Sequence, residues 1–396
     1  MPVSTQRIAI LSAAALASAL CSLPVLASSK VQSIPETTHQ PWENGLSLVN
    51  HLDIESVSNL RGGLAQGTTA AGLWKGGLGL HTGRAGWWSG GLFLVEGLVA
   101  NSGAPNSLYV GDLQGVSNLT TPYVHIARLY KAYYRQNLGP NTLRIGLINR
   151  NDYFNVTGVA GDLFNASFGI YPTITANIPY TPTYPYSSLG VMAAGQWGGT
   201  TIQTGVFGAD GVHPYRRPWG ADGSIWYGEI DQSLKLGPGQ MMLKAGGYYS
   251  QVSGSYLTQN IGIGPAPSQG GFYGTGEYRW RSSGMQWGAF LQGSAAPNVA
   301  AVSPINAYLG AGLRLRHFLP AVPKATLSLG MARAWQRQQG AETSLEINWR
   351  QPLSHGLYIS PDLQYIINPG ANVPGSRLAN ALVAIVRLGW DYSLKG

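Results

Sequence analysis

The segment from Ala379 to Tyr392 constrains the fold most, because two sets of residues alternate along it. One face of such a strand would carry only apolar residues, namely Leu382, Ala384, Val386, Leu388, Trp390 and Tyr392. The other face would hold Val383, Ile385, Arg387 and Asp391. An apolar face opposite a partly charged face is typical of a strand between lipid and water. Because unpaired backbone groups are costly in a bilayer, such strands must close into a barrel.

Sixteen strand-like segments, separated by turn residues, occur along the chain. They are Leu46–Asn59, Gly72–His81, Trp87–Ala100, Ile126–Gln136, Thr142–Asn149, Leu189–Trp197, Thr200–Ala209, Ser224–Leu236, Gln240–Gln251, Gly271–Trp280, Gly284–Gly293, Asn306–His317, Ala325–Trp335, Glu342–Arg350, Gly356–Tyr365 and Ala379–Tyr392. Barrels of about eight strands fill with side chains, whereas 16 strands leave an aqueous channel. We therefore expect an all-β protein, a transmembrane antiparallel β-barrel with a water-filled lumen.

Residues 1–27 have the pattern of a cleaved signal peptide, because Arg7 precedes an apolar run and compact residues precede Ser28. Such a signal would export the barrel, which is expected in the bacterial outer membrane. The one cysteine, Cys21, lies in this segment, so the mature protein would have no disulfide. Residues 28–44 would form a periplasmic extension, a plug or a disordered tail, and residues 45–396 the barrel domain.

The composition agrees with a membrane barrel. Charged residues make up 11% of the chain, against about 25% in typical proteins, and there are 12 tryptophans and 21 tyrosines. A soluble protein would cover its surface with charge, so this composition favours an outer surface in hydrocarbon with aromatic girdles. The net charge of +8 comes from basic residues scattered singly along the strands, which argues against nucleic-acid binding and favours a basic lumen.

The connections differ in length. Short links at 198–199, 236–239 and 282–283 predict tight turns at one rim. Two links are much longer, Asn101 to His125 and Arg150 to Ser188. Because long loops in compact folds usually carry function, we expect selectivity to reside in them.

Strand alternation directs charged side chains into the lumen. Leu143, Ile145 and Leu147 should face lipid, which directs Arg144 inward. The same pattern directs five further residues inward, namely Lys75, Arg314, Arg316, Glu346 and Arg350. A cation on the lipid side would cost about 2–4 kcal/mol near the midplane, so these assignments are strongly favoured.

Two more basic residues, Lys131 and Arg135, would face the lumen if their neighbours Tyr130, Ala132 and Tyr134 face lipid. Glu96 would face them if one apolar set of its strand meets lipid, namely Phe93, Val95 and Val99. A second apolar set, Leu92, Leu94 and Leu98, leaves the opposite assignment open.

Several short motifs are distributed along the predicted barrel. Gly111 to Asn118 precedes Arg128-Leu129-Tyr130 and Tyr133-Tyr134-Arg135-Gln136. Leu143 to Gly146 leads into Asn151-Asp152, Phe154 and Leu163 to Gly169, and Ser360 to Gly370 lies near the end. Together these motifs resemble the carbohydrate-selective porin family (OprB-like), over about Leu46 to Tyr392.

The resemblance implies a 16-stranded outer-membrane barrel that admits monosaccharides such as glucose by passive diffusion. It also implies inward-folded constriction loops, with no catalysis and no cofactor. In the second long link, Asn165, Phe168 and Tyr171 could offer hydrogen-bonding groups and aromatic faces to a sugar. The alternative, strongest for Phe168, is that they pack the loop against the barrel wall.

The chain departs from the family where members often carry acidic residues. Lys131 and Arg135 stand in that strand and would form a basic patch with Arg144. Because planar guanidinium groups bind carboxylates with two hydrogen bonds, we hypothesise that acidic sugars are also admitted.

Other functions fit less well. An unselective or weakly anion-preferring diffusion porin would have the same composition. A barrel enzyme such as a lipid hydrolase is a distant alternative, because the seven histidines form no evident Ser–His–acid grouping and no metal-ligand spacing. The expected partners are small sugars, outer-membrane lipid and the barrel-assembly machinery during insertion, while nucleic acid is not expected. Monomer and homotrimer remain open.

Overall fold

The computed structural model describes residues 44–178, 181–215, 219–220, 222–252, 269–297, 305–337, 340–372 and 377–391. The predicted signal peptide, and the predicted extension up to residue 43, lie outside the described residues.

Sixteen antiparallel strands close into a barrel in which consecutive strands pair and β16 pairs with β1. The strands are β1 (Leu46–Gly63), β2 (Gly67–His81), β3 (Gly91–Asn101), β4 (His125–Leu138), β5 (Asn141–Ile148), β6 (Ser188–Trp197), β7 (Thr200–Gly208), β8 (Gly223–Leu236), β9 (Gly239–Val252), β10 (Gln269–Ser282), β11 (Met285–Ala295), β12 (Ile305–Arg316), β13 (Thr326–Gln336), β14 (Ala341–Pro352), β15 (Leu357–Ile367) and β16 (Ala379–Asp391). The predicted fold class and strand order are confirmed. The largest shift of a strand end is at β2, which begins at Gly67 rather than Gly72.

The side chains of β16 alternate as predicted. Val386 and Leu388 point outward and are 46% and 55% exposed, whereas Val383 and Ile385 point inward and are 0% and 1% exposed. The outward residues have no protein neighbours to cover them, which is the pattern expected for a face in contact with acyl chains.

The two rims differ in the length of their connections. Tight turns at 198–199, 237–238 and 283–284 lie at one rim, here called the turn rim, and confirm the predicted short links. The opposite rim, here called the loop rim, carries the long connections at 102–124 and 149–187. Helical structure in the described residues is limited to the short helix α1 (Pro172–Thr175) and single turns, and no described helix is long and apolar enough to cross a membrane.

Aromatic side chains mark the outer surface at the turn rim. The rings of Tyr278, Trp280 and Trp287 stack in series, with centroid distances of 5.2 and 5.9 Å. Trp88, in the connection before β3, donates its indole N–H to the Oη of Tyr134 on β4 (2.7 Å). Amphipathic rings at this height are typical of a membrane interface.

A β-bulge in β4 corrects one predicted face. Glu96 pairs with Lys131, but the next residue, Gly97, pairs with Leu129, so Tyr130 is an extra residue in the ladder. The prediction that Tyr130 faces lipid is therefore wrong, because the bulge resets the alternation. Tyr130 and Lys131 are both buried on the inner side, and Leu129 is exposed outside.

The lipid-facing assignment of Leu147 is also wrong. Leu147 is 1% exposed, although Leu143 and Ile145 on the same strand are exposed as predicted. Leu147 pairs with Leu189, whose carbonyl accepts a hydrogen bond from the indole of Trp219 (3.0 Å). The connection between β7 and β8 thus reaches this end of the strands, which alternation alone does not reveal.

Candidate functional site

Two long connections fold into the lumen and contact each other. They are loop A (residues 102–124) and loop B (residues 149–187). The backbone N–H of Asn118 in loop A donates to Phe164 O in loop B (2.8 Å), and Ala166 N–H donates to Gly115 O (2.8 Å). Because these contacts join the loops directly, loops A and B form one constriction unit inside the barrel.

Two buried glutamates on the wall bind the first part of loop B. Glu229 on β8 accepts the backbone N–H of Asn155 (2.7 Å), and Glu277 on β10 accepts that of Val159 (2.6 Å). An irregular loop has backbone N–H groups without ladder partners, and a carboxylate is a strong acceptor for them. These carboxylates therefore fix the height and path of the loop.

The strand β14 supplies two more carboxylates of this kind. Glu346 accepts the N–H groups of both Phe164 and Asn165, the latter at 3.0 Å. Glu342 accepts the N–H of Leu113 in loop A at 2.7 Å. Glu346, expected to line the lumen, does point inward, but loop B covers it and it is only 4% exposed. Its contacts are with the loop backbone.

Aromatic packing holds the rest of loop B. The ring of Phe168 meets Phe290 edge to face, with centroids 5.7 Å apart, and the ring of Tyr171 stacks on Tyr308 at 5.1 Å. The hydroxyl of Tyr171 also hydrogen-bonds to Thr275. Phe168 and Tyr171 are 1% and 0% exposed.

Asn165 is likewise buried against the wall. Its side-chain amide donates to Ser344 Oγ (3.2 Å) and to Gln364 Oε1 (3.4 Å). The expectation that Asn165, Phe168 and Tyr171 present surfaces to a sugar is therefore wrong in this conformation. Their contacts with the wall attach loop B to the barrel, which was the alternative interpretation.

The ionic group around Lys131 is balanced. Its ammonium lies 3.2 Å from Glu96 and 2.8 Å from Asp152, which belongs to loop B. Glu96 faces the interior and is 1% exposed, so the open choice between its two faces is resolved. Because two carboxylates surround one ammonium, Lys131 adds no unbalanced positive charge to the lumen.

The remaining members of the predicted basic patch lie next to each other. Arg135 and Arg144 are direct register partners on β4 and β5, and both point inward. The guanidinium of Arg144 lies 4.4 Å from the ring centre of Tyr153 in loop B. This geometry is a cation–π contact between the wall and the constriction unit.

Two predicted lumen residues, Lys75 on β2 and Arg350 on β14, lie near the turn rim where the barrel closes. Lys75 is the register partner of His51, and His51 Nδ1 lies 2.5 Å from Asp391 Oδ1. Arg350 lies 3.5 Å from Asp391 and sits over the ring of Tyr358. Positive and negative groups are mixed here, so no strong field of one sign results.

A concentrated arginine group lies at the turn rim on β10 and β12. Arg314 and Arg316 lie 3.8 and 3.6 Å from Asp162 of loop B. Arg279 and Arg281 on β10 lie beside them and share a cavity of about 340 Å³ with them. Arg279 and Arg281 were not predicted to face the lumen, although their alternation with Tyr278 and Trp280 indicates it.

The side-chain carboxyl of Asp112 in loop A has a raised pKa. Burial raises the pKa of Asp112 in loop A to about 6, and backbone N–H donors at Gly115 and Val116 oppose this rise. The side-chain amide of Asn106 donates to Asp112 Oδ1 (2.6 Å). Loop A therefore contains a group that gains a proton just below neutral pH.

No cluster of three or more His, Cys, Asp or Glu within the described ranges is arranged to hold a metal ion.

Comparison with known proteins identifies the family. The model of the family described as "Carbohydrate-selective porin, OprB family" matches residues 66–392. A high-pH structure of Pseudomonas putida OprB aligns with a TM-score of 0.75 at 17% identity, covering 88% of this chain and 95% of that one. The low-pH structure of the same protein gives a TM-score of 0.58 at 15% identity, with 88% and 93% covered.

A further solved structure shares the same fold. Salmonella typhi OmpF in complex with daunomycin aligns with a TM-score of 0.52 at 7% identity, covering 89% of this chain and 99% of that one. No curated protein matches the chain in sequence. Because the family model spans most of the barrel and the fold is that of porins, the chain belongs to the carbohydrate-selective porins of the OprB family.

Proposed function

We infer that small sugars of monosaccharide size cross this outer-membrane barrel between the constriction unit and the uncovered part of the wall, driven only by their concentration gradient. Membership of the carbohydrate-selective porin family supports a passive sugar channel. The observation that carries the finer proposal is the attachment of loops A and B to wall carboxylates. Loops fixed at this many points narrow the lumen to a constant size.

Fixed ionic groups at the edge of the passage support sugar recognition. Lys131 and Asp152 meet where loop B leaves the wall, and Asp152 is partly exposed. Asn118 of loop A is exposed and accepts a hydrogen bond from Arg387 (2.8 Å). Sugar hydroxyls are donors and acceptors at once, so such groups can replace their hydrogen bonds to water.

Export and assembly are part of the same proposal. Removal of residues 1–27 would release the mature chain, with residues 28–44 on the periplasmic side, and the barrel-assembly machinery would insert it. Both a monomer and a homotrimer are compatible with the closed barrel, because each barrel contains its own constriction unit.

Liposome swelling tests the proposed selectivity. We expect proteoliposomes to swell faster in glucose than in a disaccharide or in an amino acid of similar size, because the constriction admits one ring and offers hydrogen bonds to hydroxyls. Liposomes without protein provide the baseline. Equal rates for all three solutes, after correction for their diffusion, would favour an unselective porin, and ester hydrolysis by the detergent-solubilised protein would favour the lipid-hydrolase alternative.

A further inference from the structure

A cavity at the turn rim has an unusual concentration of guanidinium groups. It measures about 340 Å³, at the small end of the ~300–1,000 Å³ range of ligand pockets. Its lining includes Arg279, Arg281, Arg314 and Arg316, together with Gln240 and Gln286. All six residues are on the inward-pointing sides of their strands, so their polar groups face the lumen. At the rim the cavity also borders Trp280 and Trp287 of the outer face.

The charges around this cavity are not balanced. Among the described residues that line it, none is acidic. Glu277 on β10 and Asp162 of loop B contact three of the arginines, but neither carboxylate is among the residues that line the cavity. Four positive groups thus meet two carboxylates, and Arg279 and Arg316 keep 49% and 41% of their side chains exposed.

Two of the arginines are held in position. Arg279 donates to Glu277 Oε2 (2.7 Å), and Arg314 donates to Gly158 O (2.5 Å) in loop B. A guanidinium that is fixed by one bond retains other N–H groups for a ligand, and its planar shape matches a carboxylate. Less side-chain freedom is lost when a ligand binds to fixed groups.

We propose that this cavity binds the carboxylate of an acidic monosaccharide, such as a hexuronate or an aldonate, after it has passed the constriction unit. The arginines bind the carboxylate, and Gln240 and Gln286 offer donors and acceptors to the hydroxyls. This inference rests on the proposed passage of small sugars. Acidic sugars would thus be recognised at the turn rim, and not at the predicted basic patch around Lys131, whose charge is balanced.

Ion-current recordings test the site in the full-length barrel. Glucuronate is added to single channels in a planar bilayer at low salt, where surface charges are least screened, and the apparent dissociation constant is taken from the block of current. Three comparison ligands are tested separately. Glucose carries the sugar ring without a carboxylate, acetate carries the carboxylate without the ring, and inorganic phosphate is a different oxyanion.

The variant combines Arg281→Gln and Arg316→Gln. Arg279 and Arg314 are kept, because Arg279 donates to Glu277 and Arg314 donates to the loop B backbone at Gly158. Arg316 contacts loop B through the ion pair with Asp162 at 3.6 Å, and Arg314 keeps its own contact with that carboxylate at 3.8 Å. Arg333→Gln is the matched control, because Arg333 is exposed on the outer side of β13 near the loop rim. We expect the double variant to weaken glucuronate binding by at least about tenfold, as for the loss of a charge-assisted hydrogen bond, and the control to leave it unchanged.

Three results would overturn the proposal: no glucuronate block in the wild type, equal block in the double variant, or acetate and phosphate binding as tightly as glucuronate. Glucose-driven swelling of wild-type proteoliposomes is measured in parallel. A channel that passes glucose without binding glucuronate refutes only the acidic-sugar site, whereas failure to pass glucose refutes the proposed function.

Discussion

Glu346→Ala is expected to loosen the constriction unit and let disaccharides through. The substitution leaves the N–H groups of Phe164 and Asn165 without their acceptor, at a cost of about 1–3 kcal/mol each. A total loss of 2 kcal/mol or more changes the balance between the in-folded and released loop by about 30-fold or more. We expect single-channel conductance to rise and the swelling rate in a disaccharide to approach that in glucose.

Asp231→Asn is the matched control for this experiment. Asp231 is also a buried wall carboxylate, but it accepts a hydrogen bond from Lys244 on the neighbouring strand (2.9 Å) rather than from a loop. Its loss should leave the preference for glucose over a disaccharide unchanged. If Glu346→Ala forms a folded barrel with wild-type conductance and the wild-type size limit, the wall carboxylates do not hold the constriction unit.

Arg387→Met is expected to weaken the seam at which the barrel closes. Arg387 donates two hydrogen bonds to Glu55 Oε2, at 2.9 and 2.6 Å, and the two residues are register partners on β16 and β1. Both are buried, so the substitution leaves the Glu55 carboxylate without its cation inside the barrel. Breaking such a pair costs about 3–5 kcal/mol, and we expect the free energy of unfolding to fall by that amount.

Denaturant titration of the refolded barrel in detergent micelles measures this change. Arg333→Met removes an exposed arginine instead and should change stability by no more than about 0.5 kcal/mol. Combining Arg387→Met with Glu55→Gln should recover part of the loss, because the uncompensated charge is then also removed. A single-variant loss below about 1 kcal/mol would show that the pair does not stabilise the seam.

The strands could be predicted from the sequence because the period of two is a local property. β16 shows this most clearly, because its outward side chains, such as Leu388, are exposed and its inward side chains, such as Ile385, are buried. The same rule failed at Tyr130, where one extra residue in β4 shifts the period, and at Leu147, where a distant connection reaches the wall. Both exceptions depend on pairing partners, which alternation along one strand does not contain.

The candidate site was predictable only in part. Alternation indicated which charged residues point inward, and Arg314 and Glu346 do so. It gave no sign that Glu346 binds loop backbone or that Phe168 is covered, because these roles depend on where loop B lies in three dimensions. The packing of a long irregular loop depends on contacts far apart in sequence, and no local pattern encodes them.

A cysteine at Gly161 tests most directly whether loop B lies in the conducting lumen. Gly161 is exposed on loop B, and no atom lies within 4 Å of where its Cβ would be, so the new side chain has room. The only natural cysteine, Cys21, lies in the predicted signal peptide, so removal of that segment would leave the new thiol as the one cysteine in the mature protein. Leu313→Cys on the outer side of β12 is the control. Treatment of single channels with a bulky, water-soluble thiol reagent should lower the conductance of Gly161→Cys and leave that of the control unchanged. If the conductance of fully modified Gly161→Cys stays at its starting value, loop B does not narrow the pore.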